Sequence, residues 1–186
     1  TGTTPLFHGI SDNPGFRVEV GFFTISEYFK GKGYATGAFV GGFPLDSRYG
    51  LDQGFDVYDD NYGTHKLYEW VFVQRTADEV VDPALKWISR QSGPWFSWVH
   101  VFDPHDPYQP PAGYAALYPD DPYSGEVAFV DEQLGRIFHY LSESGQMDNT
   151  LIILTSDHGE GLGERGEYTH CYFAYNNTIH IPLIMH

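Results

Sequence analysis

Apolar residues recur along this chain in two alternating rhythms. Residues 34–40, 95–102 and 151–155 are short runs of aromatic, aliphatic or small side chains, each bounded by glycine, proline or asparagine. That is the pattern of buried strands. Residues 181–185 read as a last strand or the approach to one. Helical signals lie between these runs. Thr24-Ile25-Ser26-Glu27 and Thr76-Ala77-Asp78-Glu79 fit capping boxes, and Gly31 and Gly33 end the first of these helices. Pro83 falls inside the second and predicts either a kink or a restart with Asp82 as the cap. From Gly125 to Glu143, residues Val127, Val130, Leu134, Ile137 and Leu141 recur at intervals of three and four. They predict a core-facing helix stripe, closed by Gly145. The alternation of helix and strand predicts an α/β fold: a largely parallel sheet with helices on both faces.

Composition adds few constraints. The chain has 186 residues, enough for one domain with a sizeable core. A formal net charge of -15 argues against nucleic acid or an anionic membrane as partner. It also sits awkwardly with an anionic substrate, unless a bound cation reverses the field locally. The single cysteine, Cys171, excludes an internal disulfide. No apolar run approaches the ~20 residues of a membrane span.

The chemistry concentrates after two of the strand signals. Residues 151–155 lead into Ser156-Asp157-His158-Gly159-Glu160-Gly161, where a carboxylate and an imidazole stand side by side in a glycine-rich turn. Asp157 and His158 offer an oxygen and a nitrogen to one divalent cation, and the glycines allow close backbone approach. The alternative is an Asp that bonds turn amides and a His packed against it. Residues 95–102 lead into Asp103-Pro104-His105-Asp106-Pro107-Tyr108. The prolines end the strand and hold His105 between two stiff turns, as a catalytic acid or an anion-binding imidazole requires. Parallel strands would present Asp157 and His105 at one sheet edge. His100, inside the strand pattern, reads as a hydrogen-bonded core histidine. The tyrosines and prolines of residues 48–68 and 107–123 either stack on a sugar or aryl substrate or simply cover the sheet edge.

Together these runs resemble the sulfatase family of the alkaline phosphatase superfamily. The resemblance rests on His100-Val101-Phe102-Asp103-Pro104-His105-Asp106-Pro107-Tyr108 and Thr155-Ser156-Asp157-His158-Gly159-Glu160. His8-Gly9-Ile10-Ser11-Asp12-Asn13, Gly33-Tyr34-Ala35-Thr36, residues 50–56, Thr169-His170 and residues 181–184 extend it over nearly the whole chain. The resemblance implies an alkaline-phosphatase-like fold and a sulfuric ester hydrolase. Asp157 and His158 then match the family's metal-binding pair, with Ca2+ the usual ion and Mn2+ or Zn2+ the alternatives. His105 matches the histidine that helps the leaving group depart. His170 falls where relatives place a Lys or His on the sulfate ester; the alternative is a loop histidine without a ligand. Asn13 matches a substrate-binding asparagine of some relatives, and its alternative is an ordinary Asp-Asn turn beside Pro14-Gly15.

The family's nucleophile, a formylglycine or serine in a Cys/Ser-x-Pro-x-Arg motif, has no counterpart in these 186 residues. The pair of aspartates that completes the metal site on the first strand is absent too. Residues 1–186 therefore read as part of one catalytic domain, without the nucleophile and first metal-ligand segment. The expected substrate is a small-molecule or carbohydrate sulfate ester, and the resemblance points to a periplasmic or secreted protein. Two other readings stand beside this one: a phosphodiester or phosphonate monoester hydrolase of the same superfamily, and a non-catalytic binding module derived from a sulfatase.

Overall fold

The computed structural model describes residues 1–10, 16–62, 74–170 and 172–186. Asn13 and Cys171 lie outside the described residues. The chain divides into two compact units, Thr1–Ile137 and Phe138–His186.

In the first unit, α1 (Pro5–His8) and α2 (Ile25–Gly31) precede β1 (Ala35–Val40), β2 (Val57–Asp59), α3 (Ala77–Ile88), β3 (Trp95–His100) and α4 (Ala112–Leu117). Helix α5 (Pro122–Glu143) runs out of this unit into the second. The three strands form one sheet in the order β2-β1-β3, parallel throughout. Strand β1 is central, with Val40 in register with His100 and Phe39 with Asp59. Its residues from Thr36 to Val40 are all buried, as a strand covered on both faces must be.

Each face has its own cover. On one, Phe39 packs with Val80 and Ala84 of α3, joined by Trp87, Val99 and Val101. Gly37 makes this possible, because a Cβ there would lie 2.9 Å from the Trp87 ring. On the other, side chains at alternate positions of β3 stack with neighbouring aromatics: Phe29 of α2 on Phe96 at 4.7 Å, then Phe55 on Phe96 and on Trp98.

The capping signals place both helices. Thr24 Oγ1 accepts the Glu27 amide at 3.2 Å, and the Glu27 carboxylate accepts the Thr24 amide at 2.8 Å. The Glu79 carboxylate likewise accepts the Thr76 amide at 3.1 Å. Pro83 does not restart α3, which is continuous across it. Proline removes the donor that the Glu79 carbonyl would receive. The buried Arg75 guanidinium donates to that carbonyl instead.

Helix α5 keeps most of its predicted stripe. Leu141 is buried and Val130, Leu134 and Ile137 are half-buried, but Val127 is 42% exposed, and Glu126, Phe129 and Gln133 are buried beside the stripe. The helix closes as expected, with the Gln146 amide donating to Leu141 and the Gly145 amide to Ser142, Gly145 at φ 68°.

The second unit contains β4 (Ile153–Thr155), α6 (Asn176–Ile179) and β5 (Leu183–Met185). Strands β4 and β5 pair antiparallel in a sheet of their own, so β4 is not a strand of the parallel sheet. The one-edge placement of Asp157 with His105 expected from parallel strands therefore does not follow from strand pairing. Nor is the run at residues 151–155 a buried strand: Leu151, Ile153, Leu183, Ile184 and Met185 are all exposed. Two strands alone have no layer to bury against. Among the described residues no helix is long and apolar enough to cross a membrane.

Candidate active site

The loop after β3 carries the first group. Its root is fixed by Asp103, whose Oδ2 accepts the Ala77 amide at the start of α3 at 2.7 Å. Burial pushes the Asp103 carboxyl up to about 6, against the pull of that amide, and Asp78 adds repulsion. Two residues on, the His105 ring stacks on Phe102 at 4.2 Å. Its Nδ1 lies 2.6 Å from the Asp106 carbonyl oxygen. A carbonyl can only accept, so Nδ1 carries a proton.

Sequence reasoning missed the residue beneath this loop. Glu126 of α5 accepts the His105 amide on Oε2 at 3.1 Å and the Gln109 amide on Oε1 at 2.5 Å. Burial raises its carboxyl to about 7, opposed by those two donors. The available signal was the spacing of Glu126, Phe129 and Gln133, a second stripe one residue out of phase with the valines.

The second group lies in the Phe138–His186 unit. The Asp157 side chain is 80% exposed and His158 is partly exposed. Asp157 Oδ1 accepts the His158 amide at 3.1 Å, and Oδ2 is 3.8 Å from His158 Nε2. His158 Nδ1 donates to the Gly159 carbonyl at 2.8 Å, which leaves the lone pair on Nε2. The structure brings His170 here as well: its ring stacks on His158 at 3.8 Å, and its Nδ1 is 3.2 Å from Glu160 Oε1. Glu160 is a second residue that the sequence did not single out.

The glycines allow this assembly. A Cβ on Gly159 would lie 2.1 Å from the Asn177 carbonyl oxygen, and one on Gly161 2.5 Å from that of Thr169. The Gly159 and Gly161 amides donate to Thr178 and Thr169 across the same approach. Buried Glu167 then holds the return by accepting the Tyr172 and Phe173 amides. Tyr168 and Tyr172, on either side of His170 in sequence, are both largely exposed.

As donors to a cation, Asp157 and His158 fit in part. Two ligands on one ion with ~2.3 Å bonds are roughly 3.3–3.8 Å apart, and a ligating imidazole normally donates its other nitrogen to a carbonyl or carboxylate. Both conditions are met. Yet among the described residues no group of three or more His, Cys, Asp or Glu is arranged to hold a metal.

The aromatic stretch at residues 48–68 is described as far as Tyr62, and that part is partly a packing device. Tyr58 and Tyr62 donate to the Leu45 and Gly42 carbonyls at 2.6 and 2.7 Å, and burial raises both phenols above their ordinary range.

A model of the sulfatase family matches residues 1–186, the whole chain. The chain belongs to the sulfatase family. Among its relatives is PehA of Trinickia caryophylli, a multifunctional alkaline phosphatase superfamily protein, 47% identical over 64 residues. That stretch is 34% of this chain and 12% of PehA. The N-acetylglucosamine-6-O-sulfatase of Bacteroides thetaiotaomicron is 43% identical over 63 residues, 34% of this chain and 11% of that one. A solved structure in complex with its substrate, D-glucosamine-2-N,6-O-disulfate, superposes with a TM-score of 0.81 at 18% identity. It is covered to 59% of its length by all of this sulfatase chain, and the likeness is one of fold. The sulfatase segment thus spans only part of its relatives, within an alkaline-phosphatase-like α/β architecture.

Proposed function

We propose that the protein carrying this chain is a sulfuric ester hydrolase acting on sulfated carbohydrates. The observation that carries the reading is the cluster at residues 157–170 in a chain matched throughout by the sulfatase family. There His158 Nε2 and Asp157 Oδ2 lie 3.8 Å apart, and His170 stacks on His158. Asp157 and His158 would hold a divalent cation, Ca2+ by family resemblance. Such an ion supplies positive charge where negative charge builds on the nucleophile and the sulfuryl oxygens. Asp157 brings the full charge that a hard cation prefers. His158 presents Nε2 because its other nitrogen is committed to a backbone carbonyl.

By resemblance, His170, whose Nδ1 lies 3.2 Å from Glu160 Oε1, would contact a non-bridging oxygen of the ester. By resemblance, His105 would hydrogen-bond or protonate the leaving oxygen, which requires a proton on Nε2 as well as the one that Nδ1 gives to the Asp106 carbonyl. Fixed donors of this kind stabilise the transition state because they need no reorganisation as charge develops. Asn13, by resemblance, would contact the substrate. Two points favour a sugar ester: the exposed rings of Tyr168 and Tyr172 beside His170, on which a pyranose can stack, and the glucosamine sulfate named for a relative and for a solved structure.

Steady-state kinetics of the full-length protein decide the reaction class. With 4-nitrophenyl sulfate, bis(4-nitrophenyl) phosphate and 4-nitrophenyl phenylphosphonate as substrates, kcat/KM should be largest on the sulfate. Preference for either phosphorus ester would overturn the reading and favour the broader chemistry implied by PehA's description as multifunctional.

A further inference from the structure

Residues 103–111 read Asp-Pro-His-Asp-Pro-Tyr-Gln-Pro-Pro, so four of the nine positions carry no amide proton. Such a loop has few amides with which to brace itself. Its support comes from the first turns of α5. There Gly125 lets Pro110 approach: a Cβ at 125 would lie 3.0 Å from the proline ring. Tyr123 meets Tyr108 edge to face at 5.4 Å. Glu126, 2% exposed, gives one carboxylate oxygen to the His105 amide and the other to the Gln109 amide. The two amides bracket the turn that presents His105, so one side chain fixes both ends.

We propose that Glu126 is a positioning residue for His105, holding the backbone of the His105 turn so that Nε2 meets the leaving oxygen. The inference rests on the role given to His105 above. A buried carboxylate is a costly way to hold a loop, because the charged form loses its hydration. Only a carboxylate, however, offers two strong acceptors at this spacing without bringing a donor. A glutamine keeps one acceptor and turns an NH2 group toward the other amide, so one bond is lost and two donors face each other.

The test is a double-mutant cycle in the full-length protein with 4-nitrophenyl sulfate: E126Q, H105A and both together, with kcat and KM determined separately. E126Q should lower kcat about 10- to 100-fold, the range for a residue that orients a functional imidazole, and leave KM within about twofold. In the H105A background E126Q should cause no further loss, because the group it positions is gone. A full second loss in that background would overturn the proposal, as would an unchanged kcat in E126Q. If H105A alone leaves kcat intact, the reading of His105 fails first, and that result is distinct from additive losses. Leu141→Ala, a buried change elsewhere on α5, controls for general destabilisation and should leave kcat per folded molecule unchanged. Should E126Q not fold, E126D enters the same cycle with the same criterion.

Discussion

Asp103 and Ala77 are joined by a single 2.7 Å hydrogen bond that ties the end of β3 to the first turn of α3. The amide belongs to a helix N-terminus, where donors are otherwise unpaired and the dipole favours negative charge. Burial opposes that preference and leaves the carboxyl at about 6 rather than 3.8. A group whose folded pKa is raised contributes stability that is fully present below about 3.8 and lost as pH rises through about 6. D103N keeps an oxygen acceptor and does not titrate. Denaturant unfolding of wild type and D103N should therefore shift in favour of the variant between pH 4 and pH 7. D103A should be less stable by about 1–3 kcal/mol at every pH, since the Ala77 amide is then buried without a partner.

Arg75 should be among the least replaceable residues of the first unit. Its guanidinium donates to the Val40 carbonyl at 3.2 Å, to the Asp59 carbonyl and carboxylate at 3.0 and 3.1 Å, and to the Glu79 carbonyl. R75A removes all four contacts and leaves Asp59 without its cation, so unfolding free energy should fall by about 3–5 kcal/mol. Lysine lacks the planar fork and should recover only part of this. In a P83A background, where Glu79 regains a backbone donor, R75K should cost less than in wild type. Equal costs in both backgrounds would mean that the Glu79 contact carries no weight.

Metal retention separates the two groups of site residues. In the full-length protein, D157A should lose bound divalent cation after dialysis, because the hard anionic donor is gone. H105A should keep the metal and lose turnover. Elemental analysis beside kinetics on both variants checks this, and a D157A protein that retains its full metal content would refute the assignment.

Gly159 should tolerate no side chain. An alanine Cβ would fall 2.1 Å from a backbone oxygen of Asn177, so this loop and α6 must part. G159A should destabilise by about 1–3 kcal/mol, as other forced overpacking does. It should also weaken metal retention, since the loop that moves carries Asp157 and His158. Calorimetry and metal titration of the same sample would read both effects.

Local chemistry was legible in the sequence where it acts over a few residues. The boxes at Thr24 and Thr76 and the glycine closure at Gly145 appear where their residue types demand, because each is a short-range hydrogen-bond pattern. The closeness of Asp157 to His158 follows from adjacency. What depends on distant partners was not legible. Pro83 left two outcomes open, and the guanidinium of Arg75, eight residues upstream, goes with the continuous helix. The stripe on α5 left out Glu126 because periodicity counts apolar side chains, whereas the loop above this helix needs an acceptor and draws Glu126 inward. The aliphatic run at 151–155 predicted burial because composition does not reveal how many strands a sheet contains. The stack of His170 on His158 joins residues twelve positions apart through glycine-permitted loop contacts, which no spacing rule encodes.

The parallel run of β1, β2 and β3 has a further consequence for how this molecule can change. Arg75, Asp103 and His105 all gather at or beyond carboxyl ends of these strands. The opposite edge, where Gly33 and Gly93 lead toward β1 and β3, holds none of them, and a side chain at either glycine would meet open space. Variation at Gly93 is thus decoupled from the chemistry. A label attached at Gly93 should therefore leave Arg75, Asp103 and His105 undisturbed.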